Sequence, residues 1–218
     1  MIQIAPGLHA TEPVDLGFGR PPLTARSYLI ERPGGNLSVY GAGPLWAERE
    51  AIRDLGGISR QYLNHAHEAS AEAGLVAHEF NAPLTVHRDD AADVSASSPV
   101  GDVFASRHFD GDDFEVIPIP GHTAGATAYL WRGPEARVLF TGDSVFVRDG
   151  EWGAALLDGV SERSGYVASL ELLAGLDFDL LAAGVAPVGQ PFTVSTGPGD
   201  SGERLRAIAA RLRAGGDR

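Results

Sequence analysis

Three segments of this chain repeat one form, and that form limits the folds open to it. Each is a short apolar run, then a turn, then a side chain able to ligate metal. The first is Tyr62-Leu63, followed by Asn64-His65-Ala66-His67-Glu68-Ala69-Ser70. The second is Ile117-Pro-Ile-Pro-Gly-His122-Thr-Ala-Gly, which runs on into an apolar stretch ending at Leu130. The third is Val138-Leu-Phe-Thr-Gly-Asp143-Ser-Val-Phe146. A strand that ends in a turn presents its next polar residues at the sheet edge, and imidazole and carboxylate metal sites are built at such ends. By itself a His-x-His pair is more often two surface residues. The two later segments shift the balance toward a site.

In this order and at these spacings, His65-Ala-His67, Pro-Gly-His122-Thr and Thr-Gly-Asp143-Ser resemble the metallo-β-lactamase superfamily, over about Tyr28 to Pro187. The resemblance implies an α/β fold of the α+β kind, a four-layer αββα sandwich, with residues 1–218 as one domain. It also implies a metal centre, with His65, His67 and His122 as the three-imidazole site and Asp143 as a bridging, catalytic carboxylate. The family's His-x-His-x-Asp-His string is degenerate here. Its Asp position is Ala69, and its last His is Ser70. A final family His falls within Leu181-Ala-Ala-Gly184-Val-Ala-Pro187, where Val185 is the occupant. Alanine and valine cannot bind metal, and a serine hydroxyl is a poor ligand. A reduced, mononuclear site is therefore expected.

Three imidazoles with an open fourth position describe catalytic zinc. Zinc brings a bound water to a pKa of roughly 7, ready to attack an acyl or phosphoryl centre. One zinc ion is the expected cofactor, and the expected reaction is hydrolysis of a small ester, lactone or thioester. Iron is the other possibility. His65, His122 and Asp143 make the two-histidine, one-carboxylate set that suits non-haem iron(II), and the superfamily's iron persulfide dioxygenases use these positions. A mononuclear iron dioxygenase and a catalytically silent metal- or ligand-binding relative are thus the alternatives. With Ala69 in the family's Asp position, Glu68 is the nearest substitute carboxylate, expected at the surface or behind a ligand. Glu72 is a weaker candidate. The loops after Asp143, with Phe146, Trp152 and Leu156-Leu157, are expected to shape a pocket whose apolar character suits an acyl substrate. His9, His78, His87 and His108 read as surface or core-edge residues, although His87 and His108 fall in a region that can line a family pocket.

Composition removes whole classes of chemistry. There is no cysteine, which excludes disulfides, thiolate zinc and cysteine nucleophiles. All 17 cationic side chains are arginine, so phosphate-loop lysines and Schiff bases are excluded too. No Gly-x-Ser-x-Gly elbow exists. The net charge of −12 disfavours nucleic acid and anionic membranes as partners. A small-molecule substrate is the expected partner, with a homodimer possible. No run approaches the ~18 apolar residues of a membrane span, and the N-terminus lacks a basic n-region and apolar h-region. A cytoplasmic location is expected.

Short β-rich runs separated by turn signals predict strands at 8–11, 27–31, 37–40, 60–63, 84–87, 114–119, 127–131, 138–140 and 179–182. Helices are expected over Pro44–Leu55, from Ser70 as N-cap to Phe80 with Leu75 and Val76 inward, and after Asp89-Asp90. Two more are expected over Ser164–Ala174 and from an Asp200-Ser-Gly-Glu203 capping box onward. Arg204, Arg206, Arg211 and Arg213 read as that last helix's solvated face.

Overall fold

Successive side chains of a strand point to opposite faces of its sheet, and this chain places apolar groups on both. In the computed structural model, which describes residues 1–197 and 199–216, Tyr28 and Ile30 enter a core between two sheets. Leu29, between them, packs outward against helices. The second sheet divides in the same way. Tyr129, Trp131, Val138 and Phe140 pack inward, while Ala128, Leu130 and Leu139 pack outward. Strands that are apolar on both faces need cover on both. The result is a four-layer αββα sandwich, as the sequence led us to expect.

The first sheet runs, in order, Ile2–Ala5, Leu8–Ala10, Tyr28–Ile30, Leu37–Val39, Arg60–Tyr62, Leu84–His87 and Val100–Phe104. The second runs His108–Asp110, Phe114–Pro118, Thr127–Arg132, Arg137–Gly142, Leu180–Ala183 and Thr193–Ser195. Helices Ala42–Ala47, Arg49–Asp54, Glu72–Phe80 and Ala91–Ser95 cover the first sheet. Helices Arg163–Leu173 and Asp200–Arg213 cover the second. The predicted strands are all present to within about two residues at either end. No helix among the described residues is long and apolar enough to cross a membrane.

Parallel pairing decides where the loops of the candidate site lie. Leu37–Val39, Arg60–Tyr62, Leu84–His87 and Val100–Phe104 pair parallel in succession, as do Arg137–Gly142 and Leu180–Ala183. Their carboxyl ends therefore fall on the same side of each sheet. The loops carrying His65, Asp143 and Val185 leave from those ends. A small three-stranded strip of Val185–Pro187, Leu23–Ala25 and Val14–Asp15 lies beside them.

Several local expectations are corrected. The helix predicted over Pro44–Leu55 is two helices broken at Glu48, whose carboxylate is held by the Glu12 amide at 2.6 Å and by the N-terminal ammonium. Ser70 does not cap the next helix. The N-cap is Ala71, without a side-chain bond, and the helix starts at Glu72. Leu75 faces outward, 46% exposed, and Ala73 joins Val76 in the core instead. The Asp200 capping box does not form, because Gly199 at φ +83° is the N-cap. Asp200 pairs instead with Arg204. Of the arginines read as a solvated face, Arg206 donates to the Ala174 carbonyl and Arg211 to that of Trp152.

Candidate metal centre

Beyond Arg60–Tyr62 the chain turns at Asn64. The side-chain amide of Asn64 donates to the carbonyls of Thr127 and Thr141, which leaves its Oδ1 as an acceptor. Gly142 makes that approach possible. A Cβ there would lie 2.0 Å from the Asn64 side chain, and its φ of +57° favours glycine as well. His65 is buried, with Nδ1 3.0 Å from Asn64 Oδ1. Its N–H is therefore on Nδ1, and Nε2 keeps the lone pair. That Nε2 lies 3.7 Å from Asp143 Oδ2. His67 follows in a short 3₁₀ turn, Ala66–Glu68, and is exposed.

His122 arrives from the second sheet. Gly121 before it has φ +152°, and a Cβ would lie 2.4 Å from Tyr166. His122 Nδ1 is 2.9 Å from the Ala155 carbonyl. A carbonyl only accepts, so Nδ1 carries the proton and Nε2 the lone pair. That Nε2 is buried without a hydrogen-bond partner. Leaving it so costs roughly 1–3 kcal/mol. The His65 and His122 rings stand 4.6 Å apart at 86°, and one nitrogen from each of His65, His67 and His122 falls within 4.8 Å of the others. The three histidines that the motifs pointed to are thus brought together.

Two residues that the sequence did not mark hold these loops. Asp90 is 4% exposed and accepts from Ala66 N and Thr123 Oγ1, both at 2.9 Å, and from Gly125 N at 2.8 Å. It was expected to open the helix after it, yet it makes no side-chain capping bond there. Tyr40, at φ +79°, accepts from the Gly142 amide and donates to the Ala182 carbonyl. It fixes the turn before Asp143 to the strand before Val185. No local pattern signals either role, since each partner lies far off in sequence.

Glu68 takes the second of its two expected places, behind a ligand and not at the surface. Its side chain is only 10% exposed. One oxygen accepts the Asn64 backbone N–H at 2.7 Å, and the other lies 3.7 Å from His65 Nδ1. Ligand atoms of His65, Glu68 and Asp143 form a second set within 4.8 Å of one another. Glu72 lies outside both sets. Burial pushes the Glu68 carboxyl well above the usual carboxylate range, with Asp143 adding to the rise and the Asn64 and His65 amides opposing it. Burial also raises Asp143, against the pull of His122 and His67. Burial, then His122 and His67, hold His65 well below the usual imidazole value, in its neutral, ligating form. Among the described residues no arginine pairs with Glu68 or Asp143. Lone pairs and carboxylates gathered in this way fit a cation, and imidazole and carboxylate donors suit zinc, iron or manganese.

A cavity of about 990 Å³ opens over His67, His122 and Asp143. Phe146, Leu156 and Leu157 line it as expected, and so does Val185. Trp152 does not. It is 3% exposed, in the core, with the Arg204 guanidinium over its ring. Leu16, Phe18 and Leu23 complete the apolar wall. Nothing in the sequence tied that distant hairpin to the site, although Phe18 stands between two glycines and is 61% exposed. His87 and His108 pack against Phe104, away from the cavity lining. His9 pairs with Glu31, and His78 is exposed.

These features agree with what the chain is similar to. A metallo-β-lactamase from Pontibacter korlensis superposes with a TM-score of 0.74 at 12% identity, over 96% of this chain and 97% of that one. A metallo-β-lactamase family protein from Thermus thermophilus gives 0.68 at 17% identity, over 97% and 81%. The metallo-β-lactamase GOB-18 from Elizabethkingia meningoseptica gives 0.62 at 17%, over 94% and 89%. At these identities the likeness is one of fold. No curated protein matches the chain. The family model of the metallo-β-lactamase superfamily matches residues 57–185, more than half of the sequence and the stretch that carries His65, His67, His122 and Asp143. The chain belongs to the metallo-β-lactamase superfamily.

Proposed function

We propose that the chain is a metal-dependent hydrolase with a mononuclear centre, holding one zinc ion on His65, His67 and His122 and acting on a small ester, lactone or thioester. The observation that carries this reading is His122 Nε2, a buried lone pair with no partner, at the floor of an apolar cavity. Zinc bound by three imidazoles supplies a Lewis acid and brings water to a pKa of roughly 7. The chain's own residues supply the rest. Asn64 Oδ1 and the Ala155 carbonyl hold the His65 and His122 protons on Nδ1, so that both Nε2 atoms stay available. Asp143 Oδ2, close to His65 Nε2, is placed to orient an attacking water and accept its proton. Leu16, Phe18, Phe146 and Leu156 shelter the apolar part of the substrate from solvent.

The test is turnover of chromogenic acetate and butyrate esters, a thioester and a lactone by zinc-loaded protein. Hydrolysis that stops with a chelator, vanishes in His122→Ala and falls about 10²–10⁴-fold in Asp143→Asn is expected. Zinc-replete protein with no turnover on any of these would favour a silent binding role. Oxygen uptake on iron loading would favour the dioxygenase.

A further inference from the structure

The chain has no lysine and a net charge of −12, yet a cation stands in the cavity over the metal centre. Among the described residues that line this cavity, Arg163 is the one arginine. Its place is fixed from both sides. Just before it, Ser161 Oγ donates to the His122 carbonyl and the Glu162 amide to that of Gly121, each at 2.9 Å. The segment is thereby bound to the turn that delivers His122. On the other side, Arg163 Nη1 donates to the Leu212 carbonyl at 3.0 Å and to that of Gly216 at 2.8 Å, beside Gly215, which lines the same cavity. Basic side chains commonly take the last carbonyls of a helix in this way, and for Nη1 that accounts for both N–H groups.

The rest of the group has no such use. A guanidinium carries five N–H donors in a fixed fork, and among the described residues those on Nε and Nη2 have no protein partner. No carboxylate neutralises the charge either. Glu162, next to it in sequence, turns its carboxylate to the Ser164 and Gly165 amides as the helix N-cap. Asp158, the other charge on the exposed rim, makes no ion pair with it. The open edge of Nε and Nη2 is the one that holds a carboxylate through two parallel hydrogen bonds. We infer that Arg163 sets specificity in this cavity by binding a carboxylate of the substrate. The substrate class is then an ester, lactone or thioester whose apolar body carries an anionic group. The inference rests on the hydrolase reading of the same cavity. The wall between the two ends suits such a body, since Leu156, Leu157 and Val160 line the cavity along the segment from Ala155, which holds His122, to Arg163.

The test uses the full chain stripped of metal with a chelator and desalted, so that no ion competes for the carboxylate. Binding of octanoate and of octanamide, its neutral counterpart, is measured by calorimetric titration. The parent chain is expected to prefer octanoate by about tenfold or more, the scale of a charge-assisted pair. Arg163→Gln, confirmed folded by circular dichroism, is expected to bring the two probes within about twofold of each other. Arg163→Lys keeps the charge without the fork and is expected to keep a reduced preference. Octanoate bound no more tightly than octanamide by the parent would overturn the inference. A residue that only caps the helix would, when replaced by Gln, weaken both probes alike and leave the preference in place, and that result overturns it too. The hydrolase reading fails separately. An octanoate preference lost in Arg163→Gln, with no turnover by zinc-loaded protein, would keep Arg163 as the anion-binding residue and remove the hydrolase.

Discussion

Asp90 and Ala66 meet where two loops of the centre cross, the carboxylate of one accepting the amide of the other at 2.9 Å. The same carboxylate holds Thr123 and Gly125, next to His122 in the second loop. One buried acid thus sets the spacing of histidines that come from different sheets. Asp90→Ala would strand the two amides and the hydroxyl. It is expected to cost roughly 3 kcal/mol of stability in urea denaturation and to weaken zinc about 10–100-fold in direct titration. Asp90→Asn, which keeps one acceptor, should fall between the two.

Asn64 and Gly142 are in contact with no room for a side chain at position 142. Gly142→Ala brings a clash and an unfavourable positive φ together. Its expected cost is about 3 kcal/mol, with Asp143 displaced, as thermal melts and metal titration would show.

The metal-free protein should depend on pH in two opposed ways. Glu68 is raised on folding, so the native state holds more protons than the unfolded chain above the ordinary carboxylate value. Stability therefore falls as pH rises through that window. His65 is lowered on folding, so the unfolded chain holds more protons below its ordinary value of 6.5, and stability falls as pH drops below that point. Glu68→Gln removes the first effect only. Without metal this variant should melt higher than the parent at about pH 8, and the gain should shrink toward about pH 4, where Glu68 is protonated in both states. A gain that grows on acidification would contradict the placement of Glu68.

If the centre is mononuclear, as proposed, the missing ligands can be returned. Val185 lines the cavity beside His122 and Asp143, so a histidine there would project toward the same space. The triple replacement Ala69→Asp, Ser70→His, Val185→His is expected to raise bound zinc from about one equivalent to about two, the count of a two-metal site. Elemental analysis of the purified variant checks it.

The sheets and the three-histidine cluster were legible because local patterns carry them. Short β-rich runs between turn signals marked Tyr28 to Ile30 and Thr127 to Trp131 as strands, and a Gly before His122 and Asp143 marked the turn where each candidate ligand leaves its strand. What was not legible depends on contacts distant in sequence, or on a backbone angle that no pattern encodes. Glu68 reads as either a surface residue or one behind a ligand, and the 3₁₀ turn that decides for the second is encoded in no pattern. Asp90 sits at a helix start, and only the fold reveals that its partners are Ala66, Thr123 and Gly125. Ser70 had the right residue type for a cap, but the backbone does not turn helical until Glu72. At the Glu48 break the carboxylate accepts the Glu12 amide, a distant partner that helix propensity cannot register. The cavity wall at Leu16 and Phe18 was invisible for the same reason.

Metal content per chain tests the centre most directly. Protein purified without added metal, then loaded with zinc and desalted, should carry about one equivalent by elemental analysis. The His65→Ala/His122→Ala double variant, confirmed folded by circular dichroism, should carry close to none. Equal zinc in the two proteins, or none in either, would contradict a metal centre on His65, His67 and His122.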